Sequence, residues 1–285
     1  MVHLSSETTA VVLDSTADLP DPAGRHPNWR VVPLYVQFGD ETLRDYVDLT
    51  PAEFYRRLGS SSVQPKTSQP TPADFAAAFA DLAGFDRVLC LCLSEKLSGT
   101  AKSARIAAEA EGGRVRVIDT GSVSGGIVIL ADAIQRRLDA GATDDEVDEL
   151  VARFKREATI LFTVDTLDFL VRGGRIGKAS GFAGELLSVK PILAIRDGEV
   201  EPIKRVRGRA KALAELERLF VEGTDEGGGL HAGVANADAP ADGEDLAARV
   251  RRARPNASLD VFGELGPVIG AHGGPGTLGL FWFRD

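Results

Sequence analysis

The feature that most constrains the fold is a regular alternation of strand-like and helix-like segments in the first half of the chain. Short apolar runs at residues 9–13, 88–93 and 115–118 have the composition of buried strands. Helices are predicted at residues 99–111 and 125–140. Strands that are separated by helices of this length form parallel sheets with crossover helices. The pattern therefore predicts an α/β fold with a mainly parallel sheet in this half.

The pattern changes in the second half, where strands also follow one another directly. Two strand-like runs, residues 192–196 and 200–205, are joined by Asp197 and Gly198, and an Asp-Gly pair supplies the positive φ angles of a tight hairpin turn. These runs predict a second, mixed α/β domain with antiparallel pairing. Its other predicted strands and helices are residues 230–235, 258–262 and 278–283, and residues 210–222 and 242–253. The length of 285 residues fits two α/β domains, which we place at residues 1–159 and 160–285.

Charge and apolar patterning exclude several classes of partner. The net charge of −9 opposes binding to nucleic acid or to an anionic membrane surface. No apolar run reaches the ~18–20 residues that cross a bilayer, and residues 1–8 lack the apolar core of a secretory signal. The two cysteines, Cys90 and Cys92, lie in an apolar run, which favours core packing over a metal or redox pair. We therefore expect a cytoplasmic protein without integral membrane association.

Several segments resemble catalytic or cofactor motifs but lack part of each motif. Residues 274–279 have the spacing of a dinucleotide-binding loop, but the residues after them are strand-like rather than helical. Residues 173–178 have the wrong glycine spacing for a phosphate loop. Residues 121–125 resemble the nucleophile elbow of a hydrolase, but Val123 occupies the position of the nucleophile. None of the four histidines forms the i, i+4 pair of a helical zinc site. The sequence thus predicts neither a metal nor a cofactor.

Three segments combine hydroxyl or imidazole side chains with accessible backbone amides. They are residues 65–70 before a helix, residues 93–100 at the carboxyl end of a strand, and the glycine-rich residues 270–276. In open parallel sheets ligands bind at the carboxyl edge, and the amino end of a helix favours an anion. Taken singly, each segment has an open alternative. Thr67 and Ser68 could form a turn, Ser98 could cap its helix, and His272 could be a half-buried histidine with its hydrogen bonds made.

Taken together, the motifs resemble the DegV family of fatty-acid-binding proteins. The resemblance covers almost the whole chain in the family's order. It rests on VLDSTADLP at residues 12–20, KTSQP at 66–70, LSGT at 97–100, GGRI at 173–176, KPIL at 190–193 and HGGPG at 272–276. Membership would imply two α/β domains with a long-chain fatty acid between them. That fold agrees with the one predicted from the periodicity.

The resemblance also implies roles for individual residues. Thr67 and Ser98 would hydrogen-bond the fatty acid carboxylate, while the adjacent Ser68 would contribute. His272 matches a histidine near the head group. The loaded protein would be presented to a separate fatty acid kinase, which makes the acyl phosphate, and Arg207 lies where the family engages that kinase. A solvated face is the open alternative for Arg207, because it belongs to a basic run with Lys204, Arg205, Arg209 and Lys211.

We therefore predict a carrier of long-chain fatty acids that is not an enzyme. One alternative is a hydrolase or acyltransferase with Ser98 as nucleophile and His272 as base. No nucleophile elbow surrounds Ser98. A second alternative is a sugar- or phosphate-binding protein, which would need a polar pocket. The candidates for the pocket of the acyl tail are Phe182, Leu186, Leu187 and Val189. Core packing is an open alternative for each of them.

Overall fold

A computed structural model describes residues 3–61, 63–182 and 189–285. In the first part of the chain the elements are β1 (His3–Leu4), β2 (Thr9–Asp14), α1 (Pro22–Arg25), β3 (Trp29–Val32), β4 (Tyr35–Phe38), β5 (Glu41–Arg44), α2 (Pro51–Ser60), β6 (Lys66–Ser68), α3 (Pro72–Ala80), β7 (Arg87–Cys92), α4 (Thr100–Ala108), β8 (Val115–Asp119), α5 (Gly125–Ala140), β9 (Ala142–Thr143) and α6 (Asp144–Glu157). In the second part they are β10 (Thr159–Thr163), α7 (Asp168–Arg172), β11 (Val189–Arg196), β12 (Glu199–Arg207), α8 (Arg209–Glu222), β13 (Leu230–Asn236), α9 (Pro240–Ala253), β14 (Ser258–Glu264), α10 (Pro267–Gly273) and β15 (Leu278–Arg284). Short 3-10 turns cover Ser15–Ala17, Glu109–Glu111 and Gly177–Phe182.

The first sheet has four parallel strands in the order β3-β2-β7-β8. Every residue of β2 is buried, as expected for a central strand that is covered on both faces. Helices connect β2 to β3 and β7 to β8, so the predicted parallel sheet with crossover helices is confirmed. Because β2 and β7 are parallel, their carboxyl ends meet at one edge of this sheet, and residues 14–18 and 93–98 lie there.

A small antiparallel sheet with the order β5-β4-β6 was not predicted. It places Thr67 opposite Val36 on β4, so residues 66–68 are a strand rather than a turn. The following helix, α3, begins with a capping box between Thr71 and Asp74. The hydroxyl that caps α3 is therefore that of Thr71, and the Thr67 hydroxyl is left for another partner.

The second sheet has six strands in the order β12-β11-β10-β15-β13-β14. All neighbouring pairs are antiparallel except β13 and β14, which are parallel. The predicted hairpin joins β11 and β12, and Asp197 and Gly198 have φ angles of 48° and 79°. The mixed α/β character predicted for the second half is confirmed.

Helix α5 lies between the two large sheets and contacts strands of both. One continuous hydrophobic cluster includes Leu13 and Leu91 of the first sheet, Ile129 of α5, and Ile160 and Phe281 of the second sheet. Strands of the parallel sheet come from residues 9–119, and those of the six-stranded sheet come from residues 159–284. The division into domains at residues 1–159 and 160–285 stays a prediction, because α5 belongs to the packing of both sheets.

Candidate functional site

A cavity of about 330 Å³ lies between the two halves of the molecule. This volume is at the lower end of the range for small-molecule sites. Most of the wall is apolar, and hydroxyl, imidazole and guanidinium groups gather at a few positions. The lining residues are Leu34, Thr67, Ser68, Gln69, Leu93, Leu97, Ser98, Val123, Ser124, Ile160, Phe162, Leu170, Arg175, Ile195, Val200, Leu265, Val268, Ile269, His272, Gly273, Thr277, Gly279 and Phe281.

All four residues that the sequence predicted for the ligand line this cavity. Thr67 and Ser68 come from β6, Ser98 from the loop between β7 and α4, and His272 from α10. Thr67 Oγ1 and His272 Nε2 are 2.8 Å apart, although the two residues are 205 positions apart in the chain. The structure therefore brings three separate segments together at one place. The binding roles of these residues stay a prediction.

Ser98 is not the cap of the helix that follows it. The N-cap of α4 is Gly99, and no side chain caps that helix end. The Ser98 hydroxyl instead lies 2.9 Å from the hydroxyl of Thr100. The Gln69 side chain packs against Gly99 and donates a hydrogen bond to Ser103, which holds the Thr67 strand against the start of α4. Ser98 therefore keeps hydroxyl hydrogen-bonding capacity toward the cavity.

His272 is a neutral imidazole near pH 7. Burial and the nearby Arg175 charge lower the pKa of His272 to about 4. Its Nδ1 atom has no hydrogen-bond partner within the described part of the chain and lies against Gly173, where a Cβ atom would overlap the ring. The tautomer with the proton on Nε2 avoids burying an unpaired N–H group. In that tautomer His272 donates to Thr67 Oγ1, and the Thr67 proton is free for a ligand.

Arg175 crosses between the two halves beside His272. Its Nε atom donates to the carbonyl oxygen of Leu97 at 3.0 Å, and its Nη1 atom donates to that of Gly173 at 2.8 Å. Leu97 precedes Ser98, so Arg175 ties the Ser98 loop to the segment that contacts His272. Arg175 was not among the residues predicted for the site. The available signal was the GGRI motif at residues 173–176, one of the motifs on which the family resemblance rests.

Behind the cavity wall lies a buried carboxylate, Asp18, that joins distant segments. It accepts hydrogen bonds from Ser124 Oγ at 2.5 Å, from the Gly266 amide at 2.8 Å and from the Tyr46 hydroxyl at 3.3 Å. Burial raises the pKa of Asp18 to about 7. Ser124 lines the cavity, and Gly266 is the N-cap of α10, the helix that carries His272. Asp18 therefore fixes both a wall residue and the start of the His272 helix.

A second buried carboxylate, Asp14, shapes the neighbouring loop. It accepts hydrogen bonds from the amides of Thr16 at 3.0 Å and Leu93 at 2.7 Å, and from the Thr16 hydroxyl. Burial raises the pKa of Asp14 to about 6. The motif at residues 12–20 thus carries structural carboxylates, a role that its polar composition did not reveal.

The hydroxyl and imidazole partners do not match a hydrolase. Ser98 pairs with Thr100, and His272 pairs with Thr67. An acid that would orient the imidazole through Nδ1 is missing among the residues that the structure describes. The arrangement with Ser98 as nucleophile and His272 as base therefore has no geometric support. The apolar wall likewise disfavours a sugar or phosphate ligand.

The residues first considered for the acyl tail are in other places. Within the described ranges the cavity wall does not include Phe182 or Val189. Phe182 packs at the edge of the hydrophobic core, with the Arg205 guanidinium 4.2 Å from its ring centroid. Leu186 and Leu187 lie outside the described residues. The apolar wall instead comes from both halves of the molecule: β10, β11, β15 and α10 contribute to it, and so do loop residues such as Leu93 and Leu97. Local sequence does not reveal such an assembly.

The basic run around Arg207 is partly used inside the fold. Lys204 pairs with Glu215 at 3.0 Å, and Arg209 pairs with Asp242 at 2.7 Å. Arg207 is exposed at the end of β12 and makes no ion pair with any residue that the structure describes. Its guanidinium is therefore accessible.

Among the described residues, no group of three or more His, Cys, Asp or Glu side chains could hold a metal ion. None of the helices formed by those residues combines the length and the apolar character that a membrane span requires.

The chain belongs to the DegV family, whose model matches residues 8–285. A DegV domain-containing protein of Deinococcus radiodurans is 38% identical over 95% of this chain and 96% of its own length. A protein of Thermotoga maritima that is named a fatty acid-binding protein is 36% identical, over 95% of this chain and 96% of its own. The solved structure of a DegV family protein from Thermus thermophilus, described by its fatty acid binding, has a TM-score of 0.91 and 36% identity, and covers 98% of this chain and all of the other. The predicted family and fold class are confirmed.

Proposed function

We propose that this protein binds a long-chain fatty acid in the cavity, with the carboxylate at Thr67, Ser98 and His272. The observation that carries the proposal is the position of these three side chains on the wall of one largely apolar cavity. The fatty acid binding described for the relatives from Thermotoga maritima and Thermus thermophilus supports the same ligand class.

Thr67 and Ser98 are the donors that a carboxylate needs. Because the Nε2–H group of His272 donates a hydrogen bond to Thr67 Oγ1, the hydroxyl proton of Thr67 is free to point to the ligand. A hydrogen bond to a charged group contributes about 1.5–3 kcal/mol net, whereas each buried methylene contributes about 0.8 kcal/mol. A long tail therefore supplies most of the affinity, and the hydroxyls fix its position and direction. Ser68 is exposed beside Thr67 and is the weaker candidate for a direct contact.

Because hydroxyl groups hold the head group, the carboxylate oxygens stay able to react. Hydroxyl donors neutralise its oxygens less completely than a bidentate arginine would. An oxygen of a carboxylate held in this way can attack the phosphorus atom of a phosphoryl donor on a partner. The new P–O bond forms as the bond between that phosphorus and the donor breaks, and the rest of the donor leaves on the partner's side. The protein then acts as a carrier that presents the head group to a fatty acid kinase, and it needs no catalytic residue of its own for that step.

Mass spectrometry of lipid extracted from freshly purified protein tests the ligand. We expect a long-chain fatty acid at near one-to-one stoichiometry in the wild type. Replacing both donors in the variant Thr67→Val with Ser98→Ala should lower that occupancy. Protein that is folded but free of fatty acid, and that does not take up added acid, would refute the proposal.

Arg207 is the residue that we propose for contact with the kinase, because it is exposed and has no ion pair among the described residues. The variant Arg207→Glu should lower acyl-phosphate formation by a fatty acid kinase at least tenfold, while the amount of bound acid stays at the wild-type level. The matched control is Lys211→Glu, which reverses an exposed charge four positions away. Equal rates for both variants would contradict a specific role for Arg207.

A further inference from the structure

Strand β15 forms part of the cavity wall and shows in which direction the cavity extends from His272. Gly279 and Phe281 of β15, and Thr277 immediately before the strand, occupy every second position and line the cavity together. Thr277 lies at the end near His272, because a Cβ atom at Gly273 would be 2.8 Å from Thr277 Oγ1. Phe281 is four residues further on, which corresponds to roughly 13 Å of strand. This direction leads away from the proposed carboxylate position.

Phe281 is the last residue of β15 on the cavity wall, among the residues that the structure describes. Phe283 follows two positions later on the same face, is 1% exposed, and packs edge-to-face on Phe154 at 5.1 Å between ring centroids. The ring of Phe281 therefore stands between the cavity and a closed part of the core.

The Phe281 ring fills a space that three glycines leave open. A Cβ atom at Gly279 would lie 2.7 Å from the ring tip, one at Gly125 would lie 3.0 Å from the ring edge, and one at Gly233 would lie 3.4 Å away. Gly279 and Gly233 are on β15 and its neighbour β13, and Gly125 begins α5. A side chain at Gly279 or Gly125 would crowd the ring, so the glycines shape this recess around it.

We propose that Phe281 sets the maximum length of the acyl chain, because its ring occupies a glycine-lined recess at the far end of the cavity. This inference rests on the proposed function and adds the residue that determines chain-length specificity. Removing the ring would join the recess to the cavity and would give a longer tail room among Gly125, Gly233 and Gly279. Phe281 would contact the terminal part of the chain and would leave the head group unaffected.

The test compares Phe281→Ala with the wild type, and Phe283→Ala serves as the matched control. The control removes the same ring, from the same face of the same strand, at a buried site that does not belong to the described cavity wall. Each protein is stripped of lipid and titrated with saturated fatty acids that differ by two carbons. Bound lipid is also identified by mass spectrometry after purification. Phe281→Leu gives a second measurement if the alanine variant does not fold.

We expect Phe281→Ala to bind acids at least two methylenes longer than the longest that the wild type accepts. Two methylenes correspond to about a tenfold rise in the affinity ratio of long to shorter acid. Phe283→Ala should keep the wild-type ratio. An unchanged ratio in both Phe281 variants, or the same change in Phe283→Ala, overturns the inference. Failure of the wild type itself to bind any fatty acid would instead refute the proposed function.

Discussion

The variant Thr67→Val gives the sharpest test of the head-group geometry. Valine has nearly the shape of threonine but lacks the hydroxyl that lies 2.8 Å from His272 Nε2. The change removes a donor to the carboxylate, a hydrogen bond to a charged group that contributes about 1.5–3 kcal/mol. Because 1.4 kcal/mol corresponds to a factor of ten, we expect fatty acid to bind roughly 10- to 150-fold more weakly.

The assay is displacement of a fluorescent fatty acid from lipid-free protein, with a fatty alcohol of the same length as the comparison ligand. A neutral hydrogen bond contributes only about 0.5–1.5 kcal/mol, so the alcohol should lose roughly 2- to 12-fold in affinity. The control Thr67→Ser keeps the hydroxyl and should stay close to the wild type. An equal loss for acid and alcohol would show that Thr67 only supports the fold, and would refute our account of its charge-assisted contact.

Two further predictions concern buried groups. Burial raises the pKa of Asp18 to about 7, so the folded state binds the carboxyl proton of Asp18 more tightly than the unfolded chain does. The free energy of unfolding should therefore fall as the pH rises from 5 to 7. The variant Asp18→Asn should make this pH dependence shallower and raise stability at pH 8. Urea unfolding at several pH values measures this, and unchanged slopes would contradict it. Gly173→Ala should lower fatty acid affinity at least tenfold because the new methyl group displaces His272, whereas Gly59→Ala, where a methyl group meets no neighbour, should not. Equal titration curves for the two alanine variants would argue against the His272 contact.

The parts of the fold that depend on local chemistry were predictable from the sequence. Asp197 and Gly198 specify their hairpin because few other pairs adopt two positive φ angles. The capping residue Thr71 marks the start of α3 in the same way. The alternation of strands and helices determined the parallel sheet, because crossover connections leave few other topologies.

The rest depends on contacts between distant segments. Strand β6 exists because Thr67 pairs with Val36, and three residues alone show no periodicity that would predict it. The role of Asp18 depends on Gly266, which is 248 positions away. Thr67, Ser98 and His272 were named through the family resemblance, and the residues themselves gave only a hint that hydroxyls near helix ends could hold an anion.

The hydrophobic cluster that passes through α5 has a consequence for how the molecule unfolds. Since Leu13, Ile129 and Phe281 belong to one continuous core, neither large sheet can separate without exposing apolar surface of the other. We expect one cooperative transition in denaturant rather than two, with coincident fluorescence and circular dichroism curves. A molecule bound between the sheets would then stabilise the entire chain by mass action, so thermal melting would report ligand occupancy directly.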